Sequence, residues 1–296
     1  RIEKLSYHPL YEPIQWGDFE ESFNKTFLLE VSRGCRTKCK FCLTGNALGP
    51  YRERSKEELF NIIKEGEKRT KFEKIALIGS DMPSSLDEII KSLSGLGFKI
   101  SLPSLKLRDI DEVTIPLLGQ DTITLAPESS ESLRREIGKC YKDEEFFDKI
   151  NLIKKYSKSV KLYFIFGLPG EEQKDLDEII SFVNKSRKVI RTKSSFNPFV
   201  PKPHTPFENH IFNFSELKEK MKYINKNIKD ARIEDLKGAF IQYVISIGGS
   251  DVGKFIIEGV ENNTNLTYSS FNKAIEKGEI VVPSKEKEWK RIEVSV

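Results

Sequence analysis

An α/β fold on a parallel sheet is the class this 296-residue sequence predicts, and three observations predict it. Apolar runs rich in β-branched and aromatic residues alternate with charged stretches, which is the alternation of strand and helix. The charged stretches carry apolar residues at i, i+3, i+4 and i+7, the stripe that one buried helix face requires. Six such units follow one another, and successive β-then-α units pair their strands in parallel through right-handed crossovers. The pattern fits an open doubly wound sheet or a full or partial barrel, and periodicity alone does not separate them.

The first strand is Phe27–Val31. Ser55 with Glu58 then makes a capping box, ahead of Leu59, Ile62 and Ile63 on one helix face. Lys74–Ile78 is the second strand, and Ser85 with Glu88 repeats the box before Leu86, Ile89, Ile90 and Leu93. Phe98–Leu102 and Thr122–Leu125 are the third and fourth strands. Val160–Phe166 is the fifth, followed by a helix with Leu176, Ile179, Ile180 and Val183 on its stripe. The sixth, Ser195–Val200, overlaps the segment Phe196–Phe207, which holds four prolines. Prolines at that density exclude a helix, so the strand runs out into an extended loop. Leu217, Met221, Ile224 and Ile228 mark another helix, and residues 238–296 read as a small helical appendage with an irregular tail.

Lys plus Arg number 49 and Asp plus Glu 45, a formal charge of +4 that neither demands nor excludes an RNA partner. No run approaches the ~18 apolar residues that span a membrane, and no secretory apolar segment opens the chain. Three of the four cysteines fall between Cys35 and Cys42, which excludes a disulfide-stapled secreted scaffold. A reducing, cytoplasmic setting is expected.

Those three, Cys35, Cys39 and Cys42, are spaced C-x3-C-x2-C directly after the first strand. Converging thiolates select zinc, Cu(I) or iron–sulfur clusters. Structural zinc takes four ligands, yet His8, His204 and His210 lie off finger spacing and Cys140 is remote. Three protein ligands leave an open position, and on a 4Fe–4S cluster they leave one iron free for a substrate or cofactor. The plain alternatives are three unrelated thiols or a zinc loop completed from a distance.

With Phe41 before the last cysteine, C-x3-C-x-Φ-C resembles the signature of the radical S-adenosylmethionine (SAM) enzymes, and the resemblance covers residues 26–208. It implies a partial (β/α)6 TIM-type barrel, with Cys35, Cys39 and Cys42 ligating the cluster at the C-terminal end of the strands. The implied organisation is an N-terminal strap or linker over 1–25, the barrel over 26–210 and a helical extension over 211–296. Gly79-Ser80-Asp81 resembles the turn that contacts the SAM amino group, although the family wording is Gly-Gly-Glu; Asp81 can accept from an ammonium. Glu128 resembles the ribose-binding carboxylate after the fourth strand. The stretch REIGKCYKDEEF resembles one whose basic residue meets the SAM carboxylate, with Lys139 the candidate and Arg134 the alternative. Ile165 through Glu171 resembles the Gly-x-Pro-Gly-Glu turn below the adenine, which adds Ile165 and Gly167 to the cofactor set beside Phe41.

The strings PYRERS, SLPSLK, APES and SFNPFVPKPHTPF resemble the cobalamin-associated branch of that superfamily. Its N-terminal cobalamin domain has no room before Thr26, and no Asp-x-His-x-x-Gly occurs, so cobalamin is expected only through an absent domain or partner. Residues 1–23, with Tyr7, Tyr11 and Trp16, resemble the branch's linker or form a strap on the barrel. The resemblance implies an enzyme, a methyltransferase-like transferase. An electron from a ferredoxin or flavodoxin would cleave SAM to a 5′-deoxyadenosyl radical. That radical would abstract hydrogen from an unactivated carbon, for methylation or C–C bond formation. One alternative is a tRNA-modifying, methylthiotransferase-like enzyme, with Arg33, Arg36, Lys38 and Lys40 facing phosphate. The other is a non-catalytic iron–sulfur binding or sensing protein.

Overall fold

Each of the six apolar runs forms a parallel strand in the computed structural model, which describes residues 26–69, 71–103 and 105–282. Strands β1 (Thr26–Glu30), β2 (Lys74–Ile78) and β3 (Lys99–Ser101) pair in that order, with Leu29 opposite Leu77 and Ile75 opposite Ile100. Strands β4 (Thr122–Glu128), β5 (Ser159–Phe166) and β6 (Arg191–Pro198) form a second parallel block. A short seventh strand, β7 (Arg232–Ile233), adds to β6 from within the stretch read as mostly helical. Two residues give too little periodicity for a strand to show in sequence.

The ladder is interrupted between the two blocks among the described residues. Strand β3 has only three residues and is followed by Leu102 and Pro103, and proline has no N–H with which to extend a ladder. Gln120 Nε2 donates to the Leu102 carbonyl at 3.2 Å across this gap.

The helices in chain order are α1 (Leu43–Ala47), α2 (Lys56–Arg69), α3 (Leu86–Gly95), α4 (Thr114–Leu118), α5 (Glu131–Glu136) and α6 (Asp143–Ile153). They continue with α7 (Gln173–Val189), α8 (Phe214–Asn227), α9 (Leu236–Ile247), α10 (Ser250–Glu261) and α11 (Tyr268–Glu276). The Ser55–Glu58 box forms reciprocally: Glu58 N donates to Ser55 Oγ at 3.2 Å and Ser55 N to Glu58 Oε2 at 2.7 Å. The expected box at Ser85 does not form. Ser85 has ψ 21°, not the extended backbone a capping side chain needs, and lies in a turn in which Leu86 N donates to the Pro83 carbonyl.

Along β5, Val160, Leu162, Phe164 and Phe166 are buried while Lys161, Tyr163 and Ile165 are half-buried, as a strand with one packed face requires. That face meets the helices: Phe164 packs edge-on against Phe182 of α7, which does the same with Phe146 of α6. Leu217, Ile224, Val244 and Phe271 of the C-terminal helices belong to the same continuous core as Leu29 and Phe164. Residues 1–25, with Tyr7, Tyr11 and Trp16, lie outside the described residues, as does the tail beyond 282. No helix among the described residues is long and apolar enough to cross a membrane.

Candidate active site

The cysteine loop leaves the end of β1 and is closed at its base by an antiparallel bridge between Ser32–Arg33 and Arg52–Glu53. Gly34 has φ +79°, and a Cβ there would lie 2.9 Å from the Leu48 carbonyl oxygen, so glycine is what lets the two ends approach. Asn46 Nδ2 donates to the carbonyls of Cys39 (2.9 Å) and Cys42 (2.8 Å), and Cys42 N donates to Cys39 O at 3.0 Å. These bonds hold the loop without using its thiols. Cys39 is buried, Cys35 and Cys42 are half-buried, and Cys140 is exposed on its own. Burial pushes the Cys39 thiol up to about 11; Lys139 pulls it down, and Glu128, Cys42 and Cys35 push it further up. All four groups therefore sit within electrostatic reach of Cys39. Among the described residues, no three His, Cys, Asp or Glu side chains converge tightly enough for a single ion. A cubane cluster takes thiolates on three separate iron corners, a wider triangle, and three soft donors in one sheltered loop fit it.

Beyond β2, a Cβ on Gly79 would lie 2.3 Å from Ser32 Oγ, so this turn also needs glycine to press against the cysteine loop. Ser32 Oγ donates to the Asp81 carbonyl at 2.6 Å. The Asp81 carboxylate is fully buried. It accepts from Arg36 N (2.9 Å) and Arg36 Nε (3.0 Å), and is paired with Lys106 (3.1 Å) and Arg108. Three cations thus enclose the carboxylate expected to meet an ammonium.

At the end of β4 the register with β5 shifts between Leu125 and Glu128, and Glu128 takes φ +68°. A non-glycine residue in that region is held there by its surroundings. Lys139 Nζ donates to the Ala126 carbonyl (2.6 Å) and to Glu128 Oε1 (2.9 Å). Arg134, the alternative basic residue, is fully buried and bonds the carbonyls of Pro127, Ser129 and Tyr141 and the Asp143 carboxylate. Its guanidinium ties the strand end to the following loop, and Lys139 is the cation that reaches open space.

That space is a cleft of about 190 Å³ lined by Gly79, Ser80, Lys106, Glu128 and Lys139, with Tyr141 and Phe146 on its apolar side. Asp109 also lines it; its Oδ2 is buried without a partner, and burial holds its pKa above the usual carboxylate range. The ends of β2 and β4 and the loop after β3 therefore meet at one place. Phe41 and Ile165 stand apart from it, packed with Leu133, Ile137, Leu168 and Phe199 in a small apolar cluster. Gly167 has φ +81°, and a Cβ there would lie 2.2 Å from Leu217 Cδ2, so α8 occupies the space its missing side chain leaves. Glu171 accepts from Gly167 N at 2.7 Å and pairs with Lys220 at 2.9 Å, which anchors this turn to α8. Lys106, Arg108, Asp109 and Lys220 were not among the residues singled out from sequence. Lys106 lay within SLPSLK, but nothing local shows which side chain it meets 25 residues upstream.

The family model of the Radical SAM superfamily matches residues 29–183, just over half of the chain. The uncharacterized protein MJ0966 of Methanocaldococcus jannaschii is 35% identical over 268 residues, 88% of this chain and 59% of that one. The ribosomal protein uS12 methylthiotransferase RimO of Thermodesulfovibrio yellowstonii is 25% identical over 174 residues, 53% of this chain and 41% of that one. This chain thus spans about half the length of these relatives. Among solved structures, Streptococcus suis SuiB bound to precursor peptide SuiA superposes with a TM-score of 0.54 at 13% identity, over 75% of this chain and 51% of that one. The radical S-adenosylmethionine methyltransferase TsrM of Kitasatospora setae, solved with cobalamin and a [4Fe-4S] cluster, gives 0.51 at 14% identity, over 63% and 39%. At such identities these two likenesses establish the fold alone.

Proposed function

The chain belongs to the radical SAM superfamily, and from that premise we propose that residues 26–210 are a catalytic core in which Cys35, Cys39 and Cys42 hold a 4Fe–4S cluster and the adjoining cleft takes SAM. A 4Fe–4S cluster held by Cys35, Cys39 and Cys42 would supply one-electron reductive cleavage of SAM, and so hydrogen abstraction from an unactivated substrate carbon, given a ferredoxin- or flavodoxin-type electron donor. The chain's own residues bind and orient. Glu128 offers two carboxylate oxygens to ribose hydroxyls, and its left-handed backbone turns it into the cleft mouth. Lys139, paired with Glu128 at 2.9 Å, would meet the SAM carboxylate. Gly79 and Ser80 supply a close backbone edge to the amino-acid end. Phe41 and Ile165 lie outside the cleft, in the apolar cluster beside the loop, and would meet the adenine only where it extends past Glu128.

The observation that carries this reading is the cleft itself: the Gly79–Ser80 turn and the Glu128–Lys139 pair, from separate parts of the sequence, line one space, and Lys106 on the same lining reaches Cys35 Sγ at 3.1 Å. We infer a methyltransferase-like transferase, on the strength of PYRERS, SLPSLK, APES and SFNPFVPKPHTPF. Cobalamin would enter only through a domain or partner outside these 296 residues; MJ0966 extends well beyond the part matched here. The test is anaerobic reconstitution followed by assay for 5′-deoxyadenosine. We expect about four iron and four sulfide, loss of both on Cys35→Ala, Cys39→Ala or Cys42→Ala, and no loss on Cys140→Ala. A stable tetrahedral zinc site with no iron uptake in anaerobically prepared protein would sink the reading.

A methylthiotransferase-like activity is the second reading, favoured by the similarity to RimO of Thermodesulfovibrio yellowstonii. Within these residues only Cys140 remains beyond the loop, and it is exposed. Release of 5′-deoxyadenosine without sulfur insertion into RNA or ribosomal protein separates the two.

A further inference from the structure

Lys106, on the loop after β3, lies between a carboxylate and a thiol. Its Nζ is 3.1 Å from Asp81 Oδ1, 3.1 Å from Cys35 Sγ and 3.2 Å from Thr37 Oγ1. The side chain is 18% exposed, so its ammonium is mostly out of water and its direction is set by these three partners. Asp81 is the anchor: its side chain is 0% exposed and also binds Arg36 and Arg108. Three cations thus face Asp81 and, 3.4 Å from Arg108, Asp109. The group carries an excess of positive charge, and the member of it that touches a cysteine is Lys106.

We propose that Lys106 is a positioning residue for the cluster: held by Asp81, it donates an N–H···S hydrogen bond to the Cys35 thiolate and raises the cluster's reduction potential. The proposal rests on the reading that Cys35, Cys39 and Cys42 carry a 4Fe–4S cluster. One-electron reduction adds a negative charge to the cluster. A desolvated cation bonded to one of its sulfurs stabilises the reduced form more than the oxidised one. Hydrogen bonds to ligand atoms tune metal centres in this way and also fix ligand orientation. Asp81 then acts by aiming Lys106, which accounts for a buried carboxylate at the cofactor's edge that is surrounded by the protein's own cations.

The test is a redox titration of the reconstituted, SAM-free protein, followed by electron paramagnetic resonance, with iron and sulfide counted for every variant. Lys106→Met removes charge and donor; Lys106→Gln keeps an N–H but not the charge; Lys106→Arg keeps both. Arg108→Gln removes a cation that touches Asp81 and no cysteine. With full cluster content, Lys106→Met is expected to move the midpoint to more negative potential, beyond the scatter of replicate titrations. Lys106→Gln should move it less, Arg108→Gln less than Lys106→Met, and Lys106→Arg should stay near wild type. Midpoints unmoved in fully loaded Lys106→Met and Lys106→Gln overturn the proposal, as does a shift to positive potential. Folded variants of Lys106 that take up no iron, while Arg108→Gln loads normally, also overturn it, since they assign Lys106 to assembly. Wild-type protein without iron and sulfide would instead defeat the cluster reading beneath it.

Discussion

Cys39 should be the slowest thiol of the cluster-free protein, by an amount that its burial sets. At pH 8 an ordinary thiol of pKa ~8.5 is about one-quarter thiolate. Cys39, pushed up to about 11 chiefly by burial, is about one part in a thousand thiolate. The thiolate deficit is therefore about 250-fold. A more basic thiolate is a better nucleophile, and a Brønsted slope of ~0.4–0.5 over about 2.5 units returns roughly 10–18-fold. Exchange with a small disulfide reagent should thus run about 15–25-fold slower than for a free small thiol. Steric cover at 8% exposure adds to that. The rate should rise about tenfold per pH unit from 8 to 10, without a plateau. The assay is anaerobic labelling of the apoprotein with a disulfide reagent, read peptide by peptide by mass spectrometry on a Cys140→Ser background. Linkage gives a second readout. The folded-state pKa lies above the unfolded one, so the contribution is fully present below pH ~8.5 and is lost as pH rises through about 11. That loss is about 3 kcal/mol of apoprotein stability. Labelling of Cys39 at the free-thiol rate, or a plateau below pH 10, would refute the reasoning.

Two further outcomes follow from the same geometry. Glu128→Gln should weaken SAM binding by roughly 1.5–3 kcal/mol, the worth of a charge-assisted hydrogen bond, with iron content unchanged; equal affinities by calorimetry would place Glu128 outside the binding site. Gly167→Ala forces a Cβ to φ +81° and to 2.2 Å from Leu217 Cδ2, so about 1–2 kcal/mol of backbone strain adds to about 1–3 kcal/mol of overpacking. Denaturant unfolding measures the sum, and in a double-mutant cycle Leu217→Ala should cost less in the Gly167→Ala chain than in the wild type, by the packing part.

The six strands and their helices were legible because their signals are local. Val160–Phe166 and Lys74–Ile78 alternate or run apolar within a few residues, and Ser55 finds Glu58 three positions away. The Ser85 box misled because the same letters sit in a turn after Pro83, where Ser85 has ψ 21° and not the extended backbone that a capping side chain needs. Strand β7 and the gap after β3 were invisible for a related reason: two- and three-residue elements leave too few positions for a period.

The chemistry divides along the same line. Cys35, Cys39 and Cys42 are near in sequence, so their spacing could be read directly, as could the strand-end position of Glu128. Which charges are free could not, because that depends on partners brought in by the fold. Asp81 looks like an open carboxylate in Gly-Ser-Asp, yet Arg36, Lys106 and Arg108 reach it from 45, 25 and 27 positions away. Arg134 and Lys139 look equivalent on one charged stretch. One is consumed by three carbonyls and Asp143, and the other points with Glu128 into the cleft. A carboxylate enclosed by three cations cannot also serve as the principal acceptor for a ligand ammonium unless at least one of those cations leaves. Two of the cations are shared: Lys106 with Cys35 and Thr37, and Arg108 with Asp109. Arg36 cannot leave as readily, because its backbone N–H as well as its guanidinium is bound to the same carboxylate. A ligand that competes for Asp81 must therefore displace Lys106 or Arg108, and of these two only Lys106 also touches a cysteine, so its displacement would join the amino-acid end of a bound cofactor to the cysteine loop.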